Sequence, residues 1–146
     1  MNADDLEVRN ATYRQFAELG RAPTADEVGT AVGAETEWVR ASWRRLHDAH
    51  ALVLDASGDI RMANPFSATP TTHRVDAAGR SWFANCAWDA FGIGVVLGGD
   101  TVIHTECPDC ADPIELAVGD GLPDDTSLVF HVLVPAAEWW ADIGYT

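Results

Sequence analysis

The stretch that decides the fold is SWFANCAWDAFGIGVVLGGD, residues 81–100. It places Cys86 three residues before Asp89 and then continues as an almost uninterrupted apolar run. If a helix begins near Cys86, the two side chains occupy positions i and i+3, which lie on the same helix face. The flanking aromatic residues are Trp82, Phe83, Trp88 and Phe91. The stretch therefore predicts a thiol and a carboxyl group side by side at the edge of an apolar core.

Such a pair can be reactive or inert. A carboxyl group among aromatic rings resists ionisation, so Asp89 could carry a proton near neutral pH. A thiolate at the start of a helix is favoured by the helix dipole, which makes Cys86 a candidate nucleophile and ligand for soft metals. Alternatively, Cys86 is a small buried hydrophobe and Asp89 only caps the helix. These residues alone leave both interpretations open.

Composition and charge restrict the class of protein and its partners. The chain has 146 residues, 47% of them hydrophobic, which is enough for one ordinary domain or two small ones with a shared core. All nine basic residues are arginines and the net charge is −14, which repels phosphate backbones and anionic lipid. Nucleic acid and membranes are therefore disfavoured as partners, whereas neutral or cationic ligands, including metal species, are favoured. No apolar run is long enough to span a bilayer and the acidic N-terminus lacks a signal sequence, so we expect a cytoplasmic protein.

Residues 1–63 have the pattern of three helices and a hairpin. The predicted elements are a helix ending at Gly20, a helix capped by Thr24 and Glu27 that stops at Gly33, a helix over 35–49, and strands over 52–54 and 60–62. This order is typical of a winged helix, a class that often binds DNA. The third helix offers Arg40, Arg44 and Arg45 to phosphates, so a winged-helix regulator remains an alternative function. The acidic charge instead favours a helical cap that packs on the second half.

Residues 64–146 alternate between strands and short helices. An ordered crossing over 64–72 leads into this half. The predicted elements are strands over 74–76, 101–106, 113–118 and 128–134, a helix within 81–98, a short helix over 135–142, and the start of a strand over 143–146. The predicted fold class is α+β: a winged-helix-like subdomain over 1–63 packs on a mixed or antiparallel sheet domain with short helices over 64–146.

The three cysteines suggest thiol chemistry rather than disulfides. Their number is odd and no signal sequence is evident, so Cys86, Cys107 and Cys110 should be reduced. Cys107 and Cys110 form a C-x-x-C turn, which can supply half of a zinc site. No second C-x-x-C and no H-x-x-x-H exists, which excludes a complete four-cysteine site within one chain. The three cysteines are the candidate metal ligands, with structural zinc as an alternative.

The run RSWFANCAWDAFG, residues 80–92, resembles the motif of the organomercurial (alkylmercury) lyase family. The resemblance extends over the helical first half, the strand leading to Cys107, and the run LVFHVLVP with the following AAEWWADI, residues 128–143. It implies catalytic roles for Cys86 as a thiolate ligand and Asp89 as a proton shuttle. The implied reaction cleaves a carbon–mercury bond, needs no added cofactor, and takes mercury as substrate and product ion.

One departure from the family pattern affects this expectation. The family has a second essential cysteine on the strand that follows the C-terminal short helix, whereas no cysteine follows Cys110 here. Either the sequence is a fragment that ends before this thiol, or the protein is a member that has lost it. In the second case, a non-catalytic protein that binds a thiophilic metal or ligand is the alternative function. The sequence does not indicate an oligomeric state.

Overall fold

Three helices begin the fold, and the first two have capping boxes at their N-termini. A computed structural model describes residues 2–132 and 134–143. The helices are α1 (Ala3–Leu19), α2 (Ala25–Val32), α3 (Thr36–Asp48) and α4 (Ala87–Leu97), followed by a 3-10 helix (Ala136–Ala141). Thr24 and Glu27 form the predicted capping box at the start of α2. Gly20 and Gly33 end α1 and α2 in the left-handed conformation, as their sequence positions predicted.

All eight strands within residues 2–132 and 134–143 belong to one antiparallel sheet. They are β1 (Val53–Leu54), β2 (Ile60–Ala63), β3 (Phe66–Ser67), β4 (Arg74–Ala77), β5 (Arg80–Ala84), β6 (Thr101–Glu106), β7 (Pro113–Gly119) and β8 (Leu122–Pro123). Their spatial order is β1-β2-β3-β5-β4-β6-β7-β8. The predicted hairpin, β1 and β2, lies at one edge of the sheet and continues through β3 into the strands of the second half. The structure is therefore α+β, as predicted.

The helices pack on this sheet through a shared core. Trp43 of α3 is fully buried and its Nε1 donates to Thr12 Oγ1 of α1 at 3.0 Å. Trp82 of β5 is also buried, and its Nε1 donates to the backbone oxygen of Phe16 at 3.1 Å. The Phe16 ring stacks on Phe66 of β3 with centroids 4.9 Å apart. These contacts fix α1 against β3 and β5, the strands that lead to the candidate site.

The arginines of α3 are mostly engaged within the protein. Arg45 pairs with Asp5 at 2.7 Å, and Arg40 pairs with Asp59 at 2.9 Å. A guanidinium already bound to a carboxylate must give up that partner before it can contact a phosphate. Two of the three arginines considered for DNA contact are thus held in ion pairs.

The strand predicted over 128–134 is wrong for the residues described there. Residues 128–132 have no regular secondary structure and are exposed. Their apolar pattern indicates burial, but a strand also needs a hydrogen-bonded neighbour, and none of the described strands pairs with this segment. The short helix predicted over 135–142 is present as the 3-10 helix. Of the strand predicted over 143–146, the last three residues lie outside the described part of the chain.

Helix α4 holds much of the apolar run that the sequence shows. It is 11 residues long, and its Ala90 and Ile93 are buried. Its outer face is exposed, and the exposed fraction of Val95 is 83%. Within residues 2–132 and 134–143, none of the helices has both the length and the apolarity that crossing a bilayer requires.

Replacing Asp5 with alanine should lower the free energy of unfolding by about 1–2 kcal/mol near neutral pH, because Asp5 accepts charged hydrogen bonds from Arg45 and a bond from Ser42. The hydrogen bond from Arg45 lowers the pKa of Asp5 to about 2. Its stabilising effect is therefore complete above the unfolded pKa, about 4, and is lost as the pH falls through about 2. Urea denaturation should show a smaller difference between the two proteins at about pH 3 than near neutral pH. An equal difference at both would contradict this assignment.

Candidate functional site

The site is built around a two-residue corner between β5 and α4. The strand ends at Ala84 and the helix begins at Ala87, so only Asn85 and Cys86 connect them. Cys86 occupies the N-cap position with an extended backbone, and Asp89 lies in the first turn. The thiol and the carboxyl group interact with each other, and each affects the pKa of the other. The two side chains therefore lie near each other, as predicted. The flanking Trp82, however, belongs to strand β5 and not to the helix.

Cys86 opens into a large apolar cavity. The cavity has a volume of about 790 Å³, and Asn85, Cys86 and Phe91 form part of its wall. Other lining residues come from the sheet and from the C-terminal segment, among them His73, Ile103, Thr105, Leu116 and Phe130. Cys86 is half-buried, so its sulfur is accessible from the cavity while its surroundings remain poor in water. Such a space can hold an organic group beside a reactive sulfur.

Burial controls the ionisation of Cys86. Desolvation raises the pKa of the thiol, and the nearby Asp89 charge raises it further. The backbone N–H groups of Asp89 and Trp88 favour the thiolate but do not outweigh burial. The helix start favours the thiolate, as expected, but burial has the larger effect and the net pKa of Cys86 is raised. Cys86 is mainly a protonated thiol at neutral pH and needs a base or a metal to become a thiolate.

Asp89 also holds its proton more tightly than an exposed carboxyl group. Burial raises its pKa, in the direction expected from its aromatic surroundings. Hydrogen bonds from Asn85 and from the Cys86 thiol oppose this effect but do not reverse it. Asp89 is not among the described residues that line the cavity.

Asn85 orients this carboxyl group, a role that the sequence did not reveal. Its Nδ2 donates to Asp89 Oδ2 at 3.0 Å. The same amide nitrogen lies 3.2 Å from Asn64 Oδ1, 3.4 Å from the Pro65 oxygen and 3.3 Å from the Phe66 oxygen. Four oxygens around one nitrogen fix which end of the amide faces Asp89. The only hint in the sequence was a polar residue four positions before Asp89.

A second polar pair lies on the cavity wall opposite the helix. Thr105 Oγ1 and His73 Nδ1 are 2.7 Å apart. Burial lowers the pKa of His73, so its ring is neutral at physiological pH. A neutral imidazole can bind a soft metal or exchange a proton with a ligand. No sequence pattern predicts this pair, because it joins β6 to the residue before β4.

The other two cysteines do not join Cys86 in one site. Cys107 and Cys110 lie on the turn after β6, as the sequence predicted, and neither lines the cavity. Within the described part of the chain, no three side chains of His, Cys, Asp or Glu are arranged to hold a metal ion. The predicted set of Cys86, Cys107 and Cys110 is therefore not assembled as a single three-ligand site.

Alkylation by iodoacetamide tests the environment of Cys86. In a Cys107→Ser, Cys110→Ser background, Cys86 should react slowly near neutral pH, and its rate should still rise above about pH 9 because its pKa is raised. Asp89→Asn should increase the rate roughly 3- to 10-fold near neutral pH, since it removes a neighbouring negative charge. Asp100→Asn, an exposed change beyond the other end of α4, is the matched control and should have no effect. An unchanged rate in Asp89→Asn would refute the coupling between the two groups.

Comparisons with known proteins identify similar solved structures and a family. Among solved structures, ten chains match. One is described as "Crystal structure of the mercury-bound form of MerB2"; it is 27% identical in sequence, with a TM-score of 0.66. The match covers 83% of the present chain and 60% of that chain, so the present chain spans about 60% of the length of that protein.

The family comparison covers the half of the chain that carries the site. A search of curated proteins gives no match. Residues 66–146, more than half of the chain, match the family described as alkylmercury lyase. This range contains the corner, α4, the strands around the cavity and the C-x-x-C turn. The chain belongs to the alkylmercury lyase family.

Proposed function

We propose that this protein is an organomercurial lyase that cleaves a carbon–mercury bond by protonolysis. Cys86 is the sulfur ligand of mercury and Asp89 is the proton shuttle. The observation that carries the proposal is the position of this thiol and this carboxyl group together at the start of α4, with the thiol in the wall of an apolar cavity. Membership of the alkylmercury lyase family supports the reaction class.

The cavity and the charge of the protein suit an organomercurial cation. Mercury is a soft ion that prefers sulfur, and Cys86 supplies sulfur at the cavity wall. The organic group would lie against Phe91, Ile103 and Leu116. The net charge of −14 attracts a cation of the form R–Hg⁺. The organic group could be any that about 790 Å³ accommodates.

Capture of the substrate requires Cys86 to lose a proton, and Asp89 is placed to accept it. The sulfur–mercury bond forms as the thiol proton passes to the carboxylate. The reactants R–Hg⁺, thiol and carboxylate become a neutral S–Hg–R group and a carboxylic acid. Burial favours this step because it replaces a cation and an anion with two neutral groups.

Cleavage then returns the same proton. Asp89 gives its proton to the carbon, the electron pair of the carbon–mercury bond stays with that carbon, and a hydrocarbon R–H leaves. Mercury remains on the Cys86 sulfur as a cation, with the Asp89 carboxylate beside it. Since Asp89 does not line the cavity, its carboxyl group must turn toward the substrate for this transfer. A small external thiol can then take up the mercury ion.

A second candidate function is binding of a thiophilic metal without turnover. It is favoured by one observation: Cys107 and Cys110 do not line the cavity, so within the described residues Cys86 is the only thiol there. A single sulfur can hold a mercury ion but leaves release of the ion to another thiol. The assay below separates the two functions.

The lyase assay supplies an organomercurial with an excess of a small thiol and measures hydrocarbon by gas chromatography. Cys86→Ser should abolish release, and Asp89→Asn should lower its rate about 10²- to 10⁴-fold, the usual contribution of a positioned acid–base group. Asp100→Asn should behave like the unchanged protein. Stoichiometric mercury binding through Cys86 without hydrocarbon would establish the second function instead. Full activity in Asp89→Asn would exclude Asp89 as the shuttle.

Asn85→Leu tests how the carboxyl group is oriented. Leucine has a similar size but no N–H group, so the hydrogen bond that favours the Asp89 carboxylate is lost and the pKa of Asp89 should rise further. Asp89 must be ionised to accept the thiol proton, so the rise of activity with pH should move to higher pH. Asn64→Ala, which removes a different partner of the same amide, should leave the profile in place. Identical profiles in Asn85→Leu and the unchanged protein would rule out this role.

A further inference from the structure

The turn between β6 and β7 brings two thiols together outside the Cys86 cavity. Cys107 directly follows the last residue of β6, and Cys110 comes three residues later. The backbone closes this turn twice: the Ala111 N–H donates to the Cys107 oxygen at 2.8 Å, and the Cys107 N–H donates to the Asp112 oxygen at 2.9 Å. Both cysteines are free, and Cys110 is exposed. The turn therefore presents two reduced sulfurs on a hydrogen-bonded frame.

The two cysteine side chains share the short turn, and each affects the pKa of the other. The Cys110 thiol donates to the Asp112 carboxylate, whose Oδ2 is 3.1 Å away. The backbone N–H groups of Cys110 and Asp109 point at the Cys107 sulfur and, with the Cys110 thiol, lower the pKa of Cys107. Two reduced cysteines held on one short turn can act together as ligands of a metal ion.

The two cysteines of the turn lie beside the cavity whose wall includes Cys86. Glu106 and Pro108, the residues on either side of Cys107, both contribute to the cavity wall. The sulfurs themselves lie outside that wall. An ion could therefore occupy the turn while the Cys86 site is empty or filled.

We propose that Cys107 and Cys110 form a separate binding site for a soft metal ion that accepts two sulfur ligands, such as Hg²⁺ or Cu⁺. Thiolates select soft ions of this kind. Structural zinc requires four ligands, and in residues 2–132 and 134–143 no third His, Cys, Asp or Glu side chain completes such a set here. The number of ligands thus decides between the two classes of ion. This site goes beyond the proposed lyase reaction and does not depend on it.

Binding at this site involves no change of oxidation state. For Hg²⁺, two sulfur–mercury bonds form and the protons that the two cysteines carried pass to solvent, giving a neutral S–Hg–S group. The frame of the turn holds the second sulfur close to an ion bound to the first, so the pair should bind more tightly than either cysteine alone.

The test uses the full chain with Cys86→Ser, kept reduced and free of oxygen, so that only the turn can supply thiols. Inorganic Hg²⁺ is titrated in competition with a small monothiol, and bound metal is measured by native mass spectrometry. We expect one ion per chain and loss of reactivity of both thiols toward a thiol reagent. Adding Cys110→Ser should weaken binding about 10²-fold or more, as expected when a second linked ligand is lost.

Two variants make the result decisive. Cys86→Ser with Asp112→Asn keeps both sulfurs while removing the carboxylate that accepts from Cys110, so it should bind Hg²⁺ at least as tightly. Because Cys110 is exposed, Cys110→Ser should leave the circular dichroism spectrum unchanged. Equal affinity with and without Cys110 would overturn the proposal. So would binding of Zn²⁺ in preference to Hg²⁺ by this variant.

Discussion

The corner between β5 and α4 is the constraint on which the site depends. β5 pairs with β3 on one side and β4 on the other, so its position in the sheet is fixed along its length. Ala84, its last residue, is fully buried, and the helix begins only three residues later. This leaves Cys86 at the N-cap and Asp89 one turn along the same helix, where the two side chains meet. The three-residue spacing at the helix start keeps the sulfur near the carboxyl group, and the short connection fixes where this pair lies relative to the sheet.

The same corner explains why the pair can exchange a proton. Burial raises the pKa of Cys86 and of Asp89, which disfavours the charged form of each. Asn85 acts against this effect on one partner only, because its amide donates to the Asp89 carboxylate. This hydrogen bond favours the state in which Cys86 is a thiol and Asp89 is a carboxylate. In the proposed mechanism, a cationic mercury species converts this state to neutral products. Reactivity in the proposed mechanism arises from a shared proton between two desolvated groups and needs no preformed thiolate.

Local signals made much of the fold predictable. Capping residues and glycines marked the limits of α2, and the alternation of residues 101–106 matched β6. β5 was missed because its aromatic residues continue directly into the apolar run of α4, so the two elements read as one. The contact between Cys86 and Asp89 followed from helix spacing, whereas Asn85 acquires its role from carbonyl oxygens about 20 residues away in sequence. The segment over 128–132 was mispredicted, since apolar residues do not specify a strand partner.

Locating mercury in the protein tests the central claim most directly. Crystals exposed to methylmercury and measured near a mercury absorption edge would reveal the ion by its anomalous scattering. The account predicts mercury bonded to Cys86 Sγ inside the apolar cavity, with the Asp89 carboxyl group in contact with the sulfur or the metal. Mercury that occupies the turn of Cys107 and Cys110 while Cys86 stays a free thiol under saturating reagent would contradict it.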